Sequence, residues 1–201
     1  MLDVVQIPLG PYRTNCYLVA REGASEAVVI DPGDDSGTVL SVLADRGWTP
    51  TAVLVTHGHS DHLGAVRDVA EASGIEVWIP HDEADDLRTL HPGAYEPEHL
   101  LEGGETVSAA GIDFDTMLVP GHSPASIAYH ADGHLFSGDV LFAGSVGRTD
   151  LAGGDTDTLV ASIGRLVDAY PADTVVLPGH GPATTLAAER AANPFLGALR
   201  A

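Results

Sequence analysis

The run Thr56-His57-Gly58-His59-Ser60-Asp61-His62 decides how this chain reads. Four potential metal ligands fall within six residues, and they follow an apolar stretch, Ala52 to Val55, that reads as a buried strand. In extended chain, residues i and i+2 point the same way, so His57 and His59 can address one ion. Gly58 between them permits a tight turn. Asp61 and His62 open the next helical stretch and face a slightly different point, so a second ion nearby is expected.

Further ligands stand downstream. Leu118 to Pro124 reads L-V-P-G-H-S-P, and Val176 to Pro182 reads V-L-P-G-H-G-P. Each is a strand end, a Pro-Gly turn, a His and another Pro. Two strand ends are therefore expected to deliver His122 and His180 in similar local geometry. Asp139, in Ser137-Gly138-Asp139-Val140, follows a third strand-like segment. Its two oxygens can bridge two cations, although taken alone it reads equally as a turn or cap residue. No Cys takes part, so the donors are nitrogen and oxygen. Imidazole suits Zn, Fe, Ni or Cu, and added carboxylate admits Mn.

Composition narrows the function classes. The chain has 201 residues and a single cysteine, so an internal disulfide is excluded. One domain spanning 1–201 is expected from the length. The amino terminus, Met1-Leu2-Asp3-Val4-Val5, has no basic leader pattern. No apolar run approaches the roughly 20 residues of a bilayer span. A soluble, cytoplasmic protein is the expectation. Nine basic residues stand against 29 acidic ones, for a formal net charge of −20. Nucleic acid and anionic membranes are therefore disfavoured as partners, because both need clustered Lys and Arg.

Val4 to Pro8, Tyr17 to Ala20, Ala27 to Ile30, Glu76 to Ile79, Ile112 to Val119, Ser126 to His130, His134 to Ser137 and Asp173 to Leu177 read as further strands. Thr38 to Asp45, Leu63 to Ala72, Thr156 to Ala169 and Thr184 to Ala192 read as helices, with Ser60 or Asp61 near the second one's cap. Pro80 to Glu105 is acidic and reads as a short helix plus an irregular excursion.

The string T-H-G-H-S-D-H-L-G, with His122, Asp139 and His180 downstream, resembles the metallo-β-lactamase superfamily. So do Asn15-Cys16-Tyr17-Leu18-Val19 and Ile30-Asp31-Pro32-Gly33. The resemblance implies an α/β fold, a four-layer αββα sandwich of two mixed sheets with the metals at one edge. It implies that His57, His59 and His122 hold one ion, that Asp61, His62 and His180 hold another, and that Asp139 bridges them. Two divalent ions per chain follow, zinc first, with iron or manganese as alternatives.

Gly147-Arg148-Thr149-Asp150-Leu151 and the tail from Pro178 to Leu196 look like the glyoxalase II branch, which hydrolyses S-acylglutathione thioesters. The likeness is to that branch's short form, without the helical region that grips glutathione, so the carrier thiol stays open. The implied substrate is a small-molecule thioester. The implied nucleophile is a hydroxide shared by the ions, with Asp61 orienting the water. Arg148, a planar fork in a Gly-rich loop, is the candidate substrate contact. Asp31 is the candidate for orienting the His57 segment from behind, weighed against a plain turn former beside Pro32.

Tyr12 and Tyr95 are weighed as pocket residues against ordinary packing, and Cys16 reads as core. His81, His91 and His99 read as solvated loop residues. The rival readings are a persulfide dioxygenase with one non-haem iron, a lactonase or esterase on the same metals, a true β-lactamase, and a non-catalytic metal-binding module.

Overall fold

A computed structural model describes residues 1–91 and 95–200, so 92–94 of the acidic excursion lie outside the described residues. Two six-stranded sheets form the centre. The first holds, in order, β1 (Leu2–Leu9), β2 (Thr14–Arg21), β3 (Glu26–Ile30), β4 (Thr49–Leu54), β5 (Glu76–Pro80) and β6 (His99–Leu101). The second holds β7 (Thr106–Ala109), β8 (Ile112–Leu118), β9 (Ile127–Ala131), β10 (His134–Gly138), β13 (Val175–Pro178) and β14 (Thr184–Thr185), in the order β14-β13-β10-β9-β8-β7. A small hairpin of β11 (Leu141–Phe142) and β12 (Ser145–Val146) stands apart. Both large sheets are mixed: β3, β4, β5 and β6 run parallel, as do β10 and β13, and the remaining neighbours are antiparallel.

The alternation of strand side chains builds the layers. On β2, Tyr17 and Val19 enter the core between the sheets, with Val28, Ile30, Phe114, Tyr129 and Phe136. Cys16, Leu18 and Ala20 point the other way, into a core shared with helices α1 (Ser36–Arg46), α3 (Val66–Ser73) and α4 (Ala84–Leu90). The second sheet is covered in turn by α5 (Thr156–Ala169) and α6 (Leu186–Ala192). Strands covered on both faces read as continuous apolar runs, as β2 and β3 do. The αββα sandwich expected from the resemblance is the fold observed, and Cys16 is core.

Some local expectations need correction. The helix expected over Leu63 to Ala72 is two helices, α2 (Ser60–Leu63) and α3, broken at Gly64 and Ala65. The Asp31-Pro32-Gly33 loop packs into that break. The Ala65 N–H donates to the Pro32 carbonyl at 2.9 Å, and a Cβ on Gly64 would stand 2.3 Å from the Gly33 oxygen. Ser60 and Asp61 do lie beside the cap, which is His59, and form the first turn of α2. The acidic excursion carries strand β6 besides its helix.

Two buried tyrosines fasten the sheets together at one end. Tyr17 Oη, from the first sheet, donates to the Pro178 carbonyl at 2.7 Å. Tyr129 Oη, from the second, donates to the Val55 carbonyl at 2.7 Å. Both accepting carbonyls lie beside the strand ends that carry the histidines. Tyr129→Phe removes the side-chain donor to the buried Val55 carbonyl, at about 1–3 kcal/mol. Tyr17→Phe leaves the Pro178 carbonyl its Asn15 Nδ2 donor at 2.9 Å and costs nearer the roughly 1 kcal/mol of one net hydrogen bond. Thermal denaturation of Tyr17→Phe and Tyr129→Phe should show Tm losses of roughly 2–4 °C per kcal/mol; unchanged melting would mean the clasps carry no stability.

Candidate metal centre

Four parallel strand ends place the site. β3 and β4 run side by side, so Asp31 and Thr56-His57 leave the first sheet together. β10 and β13 do the same for Asp139 and His180 in the second. Cross-links join the two exits: the Ile127 N–H donates to the Thr56 carbonyl at 2.8 Å, and the Asn15 N–H to the Gly179 carbonyl at 2.7 Å. Gly179 is required by close approach, since a Cβ there would stand 2.1 Å from Asp139 Oδ1.

The seven expected ligands converge. His57 Nε2 and His59 Nδ1 are 3.0 Å apart, and His122 Nε2 lies 2.9 Å from the same His59 nitrogen. His180 Nε2 is 3.3 Å from Asp61 Oδ2 and 3.4 Å from Asp139 Oδ2. Asp139 also reaches His62 Nε2 at 3.4 Å and His122 Nε2 at 3.7 Å. Three groups able to hold an ion result: His57-His59-His122, Asp61-His62-His180 and, overlapping both, His57-His62-Asp139, so Asp139 is within reach of either end.

Hydrogen bonding behind the rings settles which nitrogen faces inward. The Arg148 carbonyl can only accept, so His122 donates from Nδ1 at 2.8 Å and turns the Nε2 lone pair to the site. His62 Nδ1 sits 2.9 Å from Asp31 Oδ2 and donates to it. Thr56 Oγ1 donates its single proton to Asp31 Oδ2 at 2.7 Å, so it accepts from His57 Nδ1 at 3.0 Å. Asp31 thus meets His62 directly and reaches His57 through Thr56, whereas the sequence pointed only to the His57 segment. Thr14 Oγ1 donates to Asp61 Oδ2 at 2.8 Å, a support the sequence reading missed.

Electrostatics sort the ligands. Burial pushes the His57 and His122 imidazoles below the ordinary histidine range, keeping them neutral donors. Burial also opposes charge on His62, but Asp139 and Asp31 outweigh it and hold that imidazole well above its usual value. Hydrogen bonds to Asp139 and Asp61 raise His180 to about 9. Burial raises Asp61, yet the His180 hydrogen bond, the His62 charge and Thr14 pull it down to about 2. Protons thus gather where a cation would sit beside the carboxylates. His62 Nε2 and Asp139 Oδ1 are nevertheless buried without a hydrogen-bond partner. Buried polar atoms are ordinarily satisfied, and a borderline cation taking nitrogen and oxygen donors fits both. The donor set suits divalent metal.

The other candidates fall elsewhere. The Arg148 guanidinium makes a bidentate pair with Asp150 at 2.7 and 2.8 Å, in solvent, and only its backbone touches the ligands. Tyr12 is exposed and lines a groove with Gln6, Arg13, Asn15 and His180, whereas Tyr95 packs on the far side of the first sheet. His81 pairs with Asp82, His99 with Glu76, and His91 Nε2 lies 3.1 Å from the Leu63 carbonyl. None of these three joins a candidate metal group among the described residues. The twin Gly-His turns differ in detail: Gly121 adopts φ 128°, in the glycine-favoured region, and Gly179 does not. The two histidines accordingly serve different groups.

Comparison with known proteins identifies the family. The metallo-beta-lactamase superfamily model matches residues 9–180. A probable metallo-hydrolase of Bacillus subtilis is 37% identical over 95% of this chain and 96% of its own. A hydroxyacylglutathione hydrolase of Haemophilus influenzae is 31% identical, over 97% and 98% of the two chains. Among solved structures, the BLEG-1 B3 metallo-beta-lactamase is 39% identical with a TM-score of 0.90, over 97% of this chain and 100% of that one. TTHA1623 in a di-iron-bound form is also 39% identical, with a TM-score of 0.79, over 96% and 100%. Fold, ligand arrangement and sequence together make this chain a member of the metallo-beta-lactamase superfamily.

Proposed function

We propose that the protein is a thioester hydrolase of glyoxalase II type using two divalent ions, zinc first and iron or manganese as alternatives. The observation that carries the reading is the pair of ligand groups sharing Asp139. Its support from relatives is the similarity to a hydroxyacylglutathione hydrolase along nearly the whole of both chains.

His57, His59 and His122 would hold one ion, Asp61, His62 and His180 the other, and Asp139 both. When bound, such a pair supplies Lewis acidity toward the carbonyl and lowers the pKa of water. The protein's own groups then divide the work. Asp61, held at about 2 with its oxygen fixed by Thr14, is ionised at neutral pH and too weak a base to keep a proton. Its part is to orient the attacking water. Asp31 and the Arg148 carbonyl hold three imidazoles in the tautomer that points a lone pair inward. A thiolate leaves readily near neutrality, since a free cysteine thiol has a pKa of about 8.5. No strong general acid is therefore required.

The test follows free thiol released from S-lactoylglutathione and from smaller S-acyl thiols. Turnover that is lost on chelation and restored by zinc is expected. Asp139→Asn should lower it by more than the roughly 10–100-fold typical of losing an outer hydrogen bond. The BLEG-1 likeness favours β-lactam hydrolysis as the second reading; β-lactam turnover without thioester turnover would replace the first by it.

Asp31→Asn removes an acceptor behind two histidines, and should lower metal affinity or activity by about 10–100-fold. Metal retained at parental affinity by the folded variant would rule out that role. Arg148 can exchange Asp150 for a substrate carboxylate, because an exposed ion pair contributes at most about 1 kcal/mol. Arg148→Ala should raise KM for an anionic thioester and leave kcat near the parental value. A fall in kcat alone would point instead to distortion of the His122 loop.

A further inference from the structure

The loops that deliver the first histidine group are held from behind by a residue of the acidic excursion. Glu83 lies in a single 3-10 turn (His81–Glu83) between β5 and α4 and is 2% exposed. One carboxylate oxygen accepts from the Gly58 N–H, on the residue between His57 and His59. The other accepts from Ser123 Oγ at 2.5 Å and from the Ala125 N–H at 2.8 Å, just after His122. Ser126 Oγ, 2.5 Å from Ser123 Oγ, completes the chain, because the Ser123 proton is already committed to Glu83. Gly58 is constrained as well, since a Cβ there would stand 2.5 Å from Asp86 Oδ2 on α4.

Among the described residues no Arg or Lys pairs with Glu83, and every donor to it is an uncharged N–H or O–H. A carboxylate buried with neutral donors alone is costly, and a nearby cation offsets that cost. The group on its far side is three imidazoles whose one nearby carboxylate is Asp139, shared with the other group. We propose that Glu83 is a positioning residue for the ion held by His57, His59 and His122. It locks two loops from different sheets in register and places a carboxylate behind a triad whose own ligands are all imidazoles. This rests on the metal reading above and gives the excursion a role in it.

Cobalt(II) titration, read by visible absorption and by bound ions per chain, tests the idea in the parent, Glu83→Gln and Ser123→Ala. The step that survives in His180→Ala belongs to the histidine triad. Gln keeps the shape of Glu83 but turns an amide N–H toward a backbone or hydroxyl donor. Expected is a weakening of the triad step by about 10–100-fold, with the other step and the melting of the metal-free protein near parental values. Ser123→Ala removes one of the three hydrogen bonds and should shift the same step less. Parental cobalt binding in the folded variants overturns the proposal, and so does equal weakening of both steps alongside a lower metal-free Tm. Should Glu83→Gln not fold, Ser123→Ala decides by the same criteria. A parent chain that binds no cobalt removes the metal reading and this inference together, whereas two ions bound alike in parent and variants removes this inference alone.

Discussion

Three donors meet on the buried Asp31 carboxylate, and the site end of the first sheet is organised by that meeting. The Thr56 N–H and Oγ1 come from the neighbouring parallel strand, and His62 Nδ1 from the first turn after it. A buried carboxylate short of its donors costs more than the 1–3 kcal/mol of a neutral group. Strand β3, strand β4 and helix α2 are therefore bound to one relative placement. The residue adopts φ 50°, an uncommon conformation for anything but Gly, Asn or Asp. That local strain is tolerated because the carboxylate's partners over-determine it. Pro32 and Gly33 then carry the chain past α2 at a distance no side chain could share, with a Cβ on Gly33 only 1.6 Å from the Asp61 oxygen. Ligand geometry and fold are in this sense one constraint.

What the sequence made legible was whatever is local. His57, His59, Asp61 and His62 crowd a single turn, and their density announces a cation before any contact is known. Asp139, His122 and His180 could be paired with them only through the resemblance, because their nearness arises from a different sheet: Asp139 and His180 leave the parallel pair β10 and β13, and His122 follows β8. Glu83 was invisible for the same reason. It sits in an acidic stretch that reads as solvated surface, and only tertiary structure shows it buried with three donors. Thr14 lies just outside the segments the sequence singled out. The break between α2 and α3 escaped because periodicity runs smoothly through Gly64, while the cause lies thirty-odd positions earlier, in the carbonyl of Gly33. Strand β6, at three residues, is too short for alternation to be read at all.

The two ligand groups differ in kind, and the difference comes from where the carboxylates stand. His57 and His122 are driven toward neutrality by burial, whereas His62 and His180 are pulled toward charge by Asp31, Asp61 and Asp139. An ion among neutral imidazoles keeps more of its positive charge than one facing a carboxylate of its own. The first group is thus the better place to polarise a carbonyl, and the second the better place to hold what must stay anionic or be aligned by Asp61.

Exposure points the same way. His57 and His62 have no accessible surface and His122 almost none, so no substrate arrives through them. The side chains of Asp61 and His180 are 23% and 30% exposed, and His180 borders the groove lined by Tyr12 and Arg13. The carboxylate-bearing side is therefore open to approach, and so is His59, which is partly buried and borders a cavity with Gly58 and Asp86. On a chain of net charge −20, protons or cations gathered at His180 offset the local negative charge. Field lines from a positive spot in a negative surround are short, so steering over long distance is weak. Selection among ligands must then come from contact at the mouth, where Arg13 stands, and not from the field of the whole protein.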